Sequence, residues 1–186
     1  MPLDASLAGS LLLAMPGMDD PMFARSALLL CQHDGDGALG VVLNRRTDVL
    51  LGELFDQLGI EPQRRELRGR QVLWGGPVHP DRGFVLHDDP RPWPSTLRFG
   101  SFGLTSSREI LHALGRSEGP ARFLVLVGHA GWGGEQLEGE LARNAWLTVP
   151  ASEDLVFESE PDLLWQAAAG GIGVDMARMA DYSGRA

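Results

Sequence analysis

The stretch LVLVGHAGWGGEQLEGELARNAW, residues 124–146, narrows the folds open to this chain more than any other segment. An apolar run at 124–127 enters glycines at 128, 131, 133 and 134, and Leu137 and Leu141 then repeat at helical spacing. Strand, glycines and helix in that order either cradle a phosphate on the free amides of the helix or turn a tight structural corner. The details favour the corner. A Walker loop needs a lysine after its second glycine, and the chain has no lysine. A dinucleotide fingerprint needs a third glycine where Gln136 follows Gly131 and Gly133. Glu135, Glu138 and Glu140 place carboxylates at the positive end of the helix dipole, where a phosphate would meet like charge. The segment is therefore expected to be a loop that packs under Trp132. Gly131 is the position at which an added methyl group would report a positive φ.

Composition excludes several chemistries. The 186 residues fit one domain, 1–186, and 44% apolar content is enough for an ordinary core. All sixteen basic residues are arginine, which removes lysine nucleophiles, bases and phosphate clamps. The formal charge of -9 repels phosphodiester backbones and anionic membrane surfaces, so neither nucleic acid nor membrane is expected as a partner. No apolar run approaches the roughly 20 residues of a membrane helix, and no basic region precedes the short apolar stretch 11–15. The lone Cys31 excludes an intramolecular disulfide and fits a reducing compartment, so a cytoplasmic location is expected. Residues 61–122 carry ten arginines against seven carboxylates. Within them Arg64, Arg65, Arg68 and Arg70 lack interleaved aromatics and are read as a solvated surface.

The pattern of elements points to an α+β fold with a mixed sheet. Strands are expected at 10–15, stopped by Pro16-Gly17, and at 26–32 and 38–44, joined as a hairpin through HDGDG. Asp19 or Asp20 with Pro21 offers a single helical turn. From Thr47, apolar residues at 50, 51, 54, 55 and 58 read as an amphipathic helix stopped by Gly59. A polar connection at 61–70 precedes a strand, a Gly-Gly-Pro corner and a second strand within 71–87. The proline-rich 88–96 is loop. A Ser-x-x-Glu box at Ser106 and Glu109 opens a helix that Gly115 closes. An edge strand is expected at 146–149 and helices at 152–157 and 162–169, the latter with Pro161 at its start. The glycine-rich tail from 170 yields no assignment. Elements intermingle without regular alternation, which argues against a doubly wound fold.

Few side chains suggest chemistry on their own. His87, Asp88, Asp89 and Asp81 are close in sequence, but neighbours on a strand face opposite ways and no paired-histidine spacing accompanies them, so no metal is expected. Asp34 and Asp36 begin like a calcium loop, yet the twelfth position is Arg45, and the segment is read as a turn. Cys31 could pair with His33 at i, i+2 on one strand face, though a buried structural thiol is favoured. Ser106 and Ser107 are read as helix caps, since no nucleophile elbow surrounds them. His79 and His112 receive no role.

Four longer motifs resemble one family. LAMPGMDDPMF at 13–23, GALGVVLN at 37–44, GGPVHPDRGFVLH at 75–87 and GHAGWGGEQLEGELARNAW at 128–146 together are similar to the AlgH/YqgE family of bacterial proteins. The resemblance implies a single α+β domain whose mixed β-sheet partly closes into a barrel flanked by helices. It implies no established activity. The family name reflects a proposed part in regulating alginate production, which makes transcriptional regulation an expectation. His129 stands where the family more often has an aromatic and His79 where glutamine is common, while Asn44, Arg82, His87 and Gln136 match. The expectation is a cytoplasmic, non-enzymatic binding or regulatory protein with no cofactor, metal or catalytic residue. Its concave surface would form near the 75–87 and 128–140 corners from Asn44, Gly75, Gly76, Pro77, Arg82, His87, Gly128, Gly131, Trp132 and Gln136. The partner is an unidentified protein or small molecule, and the oligomeric state is open. The rival is a hydrolase or transferase using His87 with a nearby carboxylate. It requires His87 within about 3 Å of a base, nucleophile or water in a cleft.

Overall fold

The computed structural model describes residues 6–183, and nearly every run of apolar residues in it becomes a strand buried on one or both faces. The strands are β1 Ser10–Ala14, β2 Ala27–Asp34, β3 Gly37–Val42, β4 Arg46–Leu50, β5 Gln71–Trp74, β6 Val78–His87, β7 Thr96–Phe99, β8 Phe102–Thr105, β9 Phe123–Gly133 and β10 Trp146–Pro150. The helices are α1 Leu51–Leu58, α2 Arg108–Gly115, α3 Gln136–Ala142, α4 Glu153–Glu158, α5 Pro161–Gly170 and α6 Met176–Ser183. The main path of the sheet runs β10-β1-β2-β3-β9-β6-β8-β7, with β5 joined to β9 and β4 to β5. It curls into an eight-stranded half-barrel in a single α+β domain, as the resemblance implied. The β5–β9 pair is parallel and the others antiparallel, so the sheet is mixed.

Consecutive leucines explain why β1 and β2 lie centrally. Leu11, Leu12 and Leu13, like Leu28, Leu29 and Leu30, are wholly buried, so both faces of these strands are covered. Leu11, Leu13 and Leu29 meet α4, α5 and α6 through Val156, Leu164, Trp165 and Met176. Leu12, Leu28 and Leu30 face Trp132, Leu137 and Trp146. A third cluster packs Leu51 and Phe55 of α1 and Ile110 and Leu114 of α2 over β6 and β9. The HDGDG hairpin forms as expected, closed by Asp36 N–H donating to Asp34 Oδ1 at 2.8 Å. β10 takes the edge position and Ser152 caps α4, accepting from Leu155 N–H at 3.1 Å. Asp20 builds the single turn, its carbonyl accepting from Phe23 and Ala24 N–H.

Several expectations need correction. Residues 46–50 form β4 and not the start of a helix, because Thr47 and Val49 alternate inward while Arg46, Asp48 and Leu50 face solvent. The connection 61–70 contains a 3-10 turn, Arg65–Gly69, and Arg70 is partly buried. Its guanidinium lies 4.0 Å from the centre of the Phe123 ring and donates to the Phe123 carbonyl. α2 begins after Ser107 and not after Ser106, and the Ser107 hydroxyl is buried without a partner, so the anticipated capping box does not form. The β7–β8 hairpin and α6 were not anticipated.

The largest correction concerns the glycine segment. It is not a loop: β9 continues through Gly128 and Gly131 to Gly133. Residues 123–127 pair with β6 and residues 130–133 with β3. Gly128, at φ +78, kinks the strand between these two partners. Its neighbour across the kink is Gly76, where a Cβ would sit 2.1 Å from the His129 carbonyl carbon. Backbone crosses backbone here, and only glycine fits.

Candidate functional site

The kink in β9 creates two unlike surfaces. β6 pairs with β9 at Val78 and again from Gly83, so residues 79–82 bulge out between the two registers. The bulge carries His79 and Arg82 over His129. The imidazoles of His79 and His129 lie 5.8 Å apart, centre to centre, and Phe84 meets the His129 ring edge-on at 5.9 Å. The Arg82 guanidinium stands 5.4 Å from the Phe84 ring centre and reaches Ser106 Oγ at 3.4 Å. An open cleft of about 420 Å³ lies beneath, floored by Leu39, Leu97 and Leu104. Its titratable lining is His79, Arg82 and His129, with no carboxylate. Burial lowers the pKa of His129, and the charges of His79 and Arg82 lower it further. Its Nδ1 is buried without a hydrogen-bond partner.

The other side of β9 is aromatic and fully bonded. The indole N–H groups of Trp132 and Trp146 both donate to Glu140 Oε1, at 3.1 and 3.0 Å. Gln136 accepts from Gly133 N–H at 3.0 Å, which ties α3 to the end of β9. Phe23 closes this side at 6.1 Å from Trp146, edge to face. Glu138 accepts from His33 Nε2 at 2.6 Å, a bond that lowers the carboxyl pKa. Glu138 and Glu140 therefore hold α3 onto the sheet, beyond any complement to its dipole.

His87 lies elsewhere, sealed inside β6 with no exposed surface. Its Nδ1 accepts from Asp89 N–H at 3.1 Å, which leaves Nε2 to donate to Thr105 Oγ1 at 2.8 Å. Thr105 bonds Thr96 Oγ1 at 2.6 Å, and Thr96 donates to the Trp93 carbonyl at 2.7 Å. Each hydroxyl can donate to the next acceptor, so the chain is satisfied from end to end. Burial, then the charge of Arg98, lowers the pKa of His87, which favours its neutral form. The nearest hydroxyl meets the distance required of a nucleophile, but Thr105 is also wholly buried, and the cleft that it lines with Asp81, Arg82 and Ser106 does not include His87.

The structure thus divides the expected site residues. Arg82, Gly128, Gly131, Trp132 and Gln136 gather around the kinked strand, with Gly75, Gly76 and Pro77 beside it. Gly75 and Gly76 serve backbone packing against Gly128 and His129. Asn44 is remote and structural, accepting from Ala27 N–H and donating to the Arg25 carbonyl, both at 2.9 Å. Cys31 is buried in a bulge of β2, between the Leu30 and Gln32 registers, and burial pushes its thiol far up. The i, i+2 pairing with His33 fails because that bulge breaks the alternation and His33 is engaged by Leu7 N–H and Glu138. Among the described residues no group of three metal-binding side chains is assembled. Neither His79 nor His129 carries a signal on its own in the sequence. Their link is the strand pairing Val78 to His129, which sequence spacing does not reveal.

Comparison with known proteins converges on one description. The AlgH-like family model matches residues 11–177. A UPF0301 protein of Xanthomonas campestris (strain 8004) is 50% identical over 185 residues, covering 99% of this chain and 98% of its own. One from Stenotrophomonas maltophilia is 53% identical over 180 residues, 96% of each chain. The solution structure of the AlgH protein from Pseudomonas aeruginosa superposes with a TM-score of 0.80 at 37% identity, covering 96% of this chain and 94% of that one. A crystal structure from Corynebacterium diphtheriae matches at a TM-score of 0.72 and 20% identity, over 92% and 90% of the two chains, and supports the fold alone.

Proposed function

The chain belongs to the AlgH-like family, and from that footing we propose that it is a non-enzymatic binding protein of the cytoplasm whose ligand site is the open cleft under His79, Arg82 and His129. One contrast carries this reading. The sealed His87 has both nitrogens bonded, whereas Arg82 and the His129 ring face a cleft with their polar capacity largely unused. Polar groups that are fully bonded in the interior usually serve the fold, and unspent ones beside a cavity usually serve a ligand. A regulatory part, of the kind the family name attaches to alginate production, would follow from a change in this surface on occupancy. Direct DNA contact is not part of the proposal, because the net charge of -9 opposes it.

The test has two arms. Native mass spectrometry of gently purified protein should detect a small molecule that Arg82→Gln no longer retains. Chromogenic ester, phosphate-ester and glycoside substrates should give no turnover that depends on His87. Turnover abolished by His87→Asn in a folded variant would overturn the proposal in favour of a hydrolase.

A further inference from the structure

The same cleft shows what kind of ligand it is built for. Arg46, Arg64, Arg68, Arg91, Arg116 and Arg122 each hold a carboxylate, and Arg82 is among the described arginines that hold none. Its hydrogen bond goes to the neutral Ser106 hydroxyl, at 3.4 Å, and its guanidinium lies against the Phe84 ring. In a chain of net charge -9, the cleft beside it has one guanidinium, two imidazoles and no carboxylate. His79 and Arg82 both work against a charge on His129, and an anion placed among the three would remove that penalty. A cation would meet Arg82, and two imidazoles without a third ligand make a poor metal site. Below the basic rim, Phe84, Leu97 and Leu104 supply an apolar floor, and the space of about 420 Å³ suits a small molecule.

We propose that this cleft binds a small organic anion, with a carboxylate or phosphate monoester held by Arg82, His79 and His129 and a short apolar body resting on Phe84, Leu97 and Leu104. This inference rests on the binding role proposed above for the same cleft. The guanidinium offers a planar fork to either headgroup, and an imidazole N–H adds a donor from the opposite side. Gln32, Ser95 and Ser106 on the wall are neutral, so the charge selection comes from three residues.

The experiment is a nitrogen-15 NMR titration of the full chain with benzoate, phenyl phosphate, benzyl alcohol and benzylamine, which share a ring and differ in charge. Benzoate or phenyl phosphate should shift the resonances around residues 79–84 and 129, and whichever binds tighter identifies the preferred headgroup. Arg82→Gln should weaken that binding by about tenfold or more. His129→Phe keeps an aromatic ring edge-on to Phe84 and so preserves the packing. It should also weaken the anions while leaving benzyl alcohol unchanged. Equal binding of all four probes would overturn the anion assignment and leave the binding role standing. Shifts from the anions that persist in Arg82→Gln would overturn it too. If no probe perturbs the cleft, the anion assignment fails, and the retained-ligand measurement decides the binding role independently.

Discussion

Replacing Gly128 by alanine tests the kinked strand at its tightest point. Gly128 has φ +78, and a Cβ built there lies 2.2 Å from the Gly76 carbonyl oxygen and 3.3 Å from Pro80 Cα. An L-residue held in the left-handed region costs about 1–2 kcal/mol. Forcing a methyl group into closed packing adds roughly 1–3 kcal/mol, here with backbone and not a flexible side chain as the obstacle. The expected loss is therefore about 2–5 kcal/mol, or a fall in Tm of roughly 5–15 °C for a domain of this size. Gly131 is the control. Its φ is not positive and a Cβ there would lie 3.9 Å from Val78 Cγ2, an ordinary contact. Gly131→Ala should change stability by about 0.5 kcal/mol or less, and with either sign. Urea unfolding followed by tryptophan fluorescence measures both variants against the wild type. Equal losses at the two positions, or a Gly128→Ala protein as stable as wild type, would refute the steric account of the kink.

Three further expectations concern other parts of the fold. The folded-state pKa of His87 lies below its unfolded value, so the unfolded chain takes up the proton first; stability should be full above about pH 6.5 and fall below it as the folded pKa is approached. His87→Gln should flatten that fall and cost about 1–3 kcal/mol near neutral pH, both read from urea midpoints between about pH 7.5 and 5, and an unchanged slope would refute the assignment. Cys31, buried and with its thiol pKa pushed up, should react with a thiol reagent slower than in denaturant by on the order of a hundredfold or more; equal rates would refute its burial. Arg122 joins Asp88 at the end of β6 to Glu153, Asp154 and Glu158 around α4, so Arg122→Ala should lower Tm, by less in about 1 M salt than in dilute buffer; no change in either would show that α4 is held by apolar packing alone.

What could be read in advance depended on how local the cause was. The hairpin at HDGDG, the stop at Gly59 and the cap at Ser152 each arise from a few adjacent residues, and each was legible. β4 was misread although Thr47 and Val49 alternate with polar neighbours, because the leucines that follow also fit a helical period. The β7–β8 hairpin turns through Gly100, at φ +58, a signal overshadowed by the prolines before it. The sequence pattern ends β9 near Val127 because glycine is a poor strand former; what keeps 130–133 extended is pairing with β3, some ninety residues earlier in the chain. The candidate site failed to show for the same reason. Arg82 was named, but His79 and His129 become a pair only when β6 and β9 lie side by side.

Because one bent strand serves both halves of the sheet, the timing of chain synthesis matters to this protein. β3 finds β2 at once through a two-residue turn, and β6 can find β8 soon after, yet each then keeps a bare edge. Both edges wait for β9, and β5 has no partner on that side until it arrives. During synthesis the nascent chain therefore carries the open edge of β3 for as long as it takes to make residues 43–133, the condition under which strands most readily pair with the wrong neighbour. Folding should be slow for a chain of this length, since these pairings are far apart in sequence and loop closure must precede them. Misassembly of this chain should therefore begin at those unfinished edges, in the interval before Gly133 is in place.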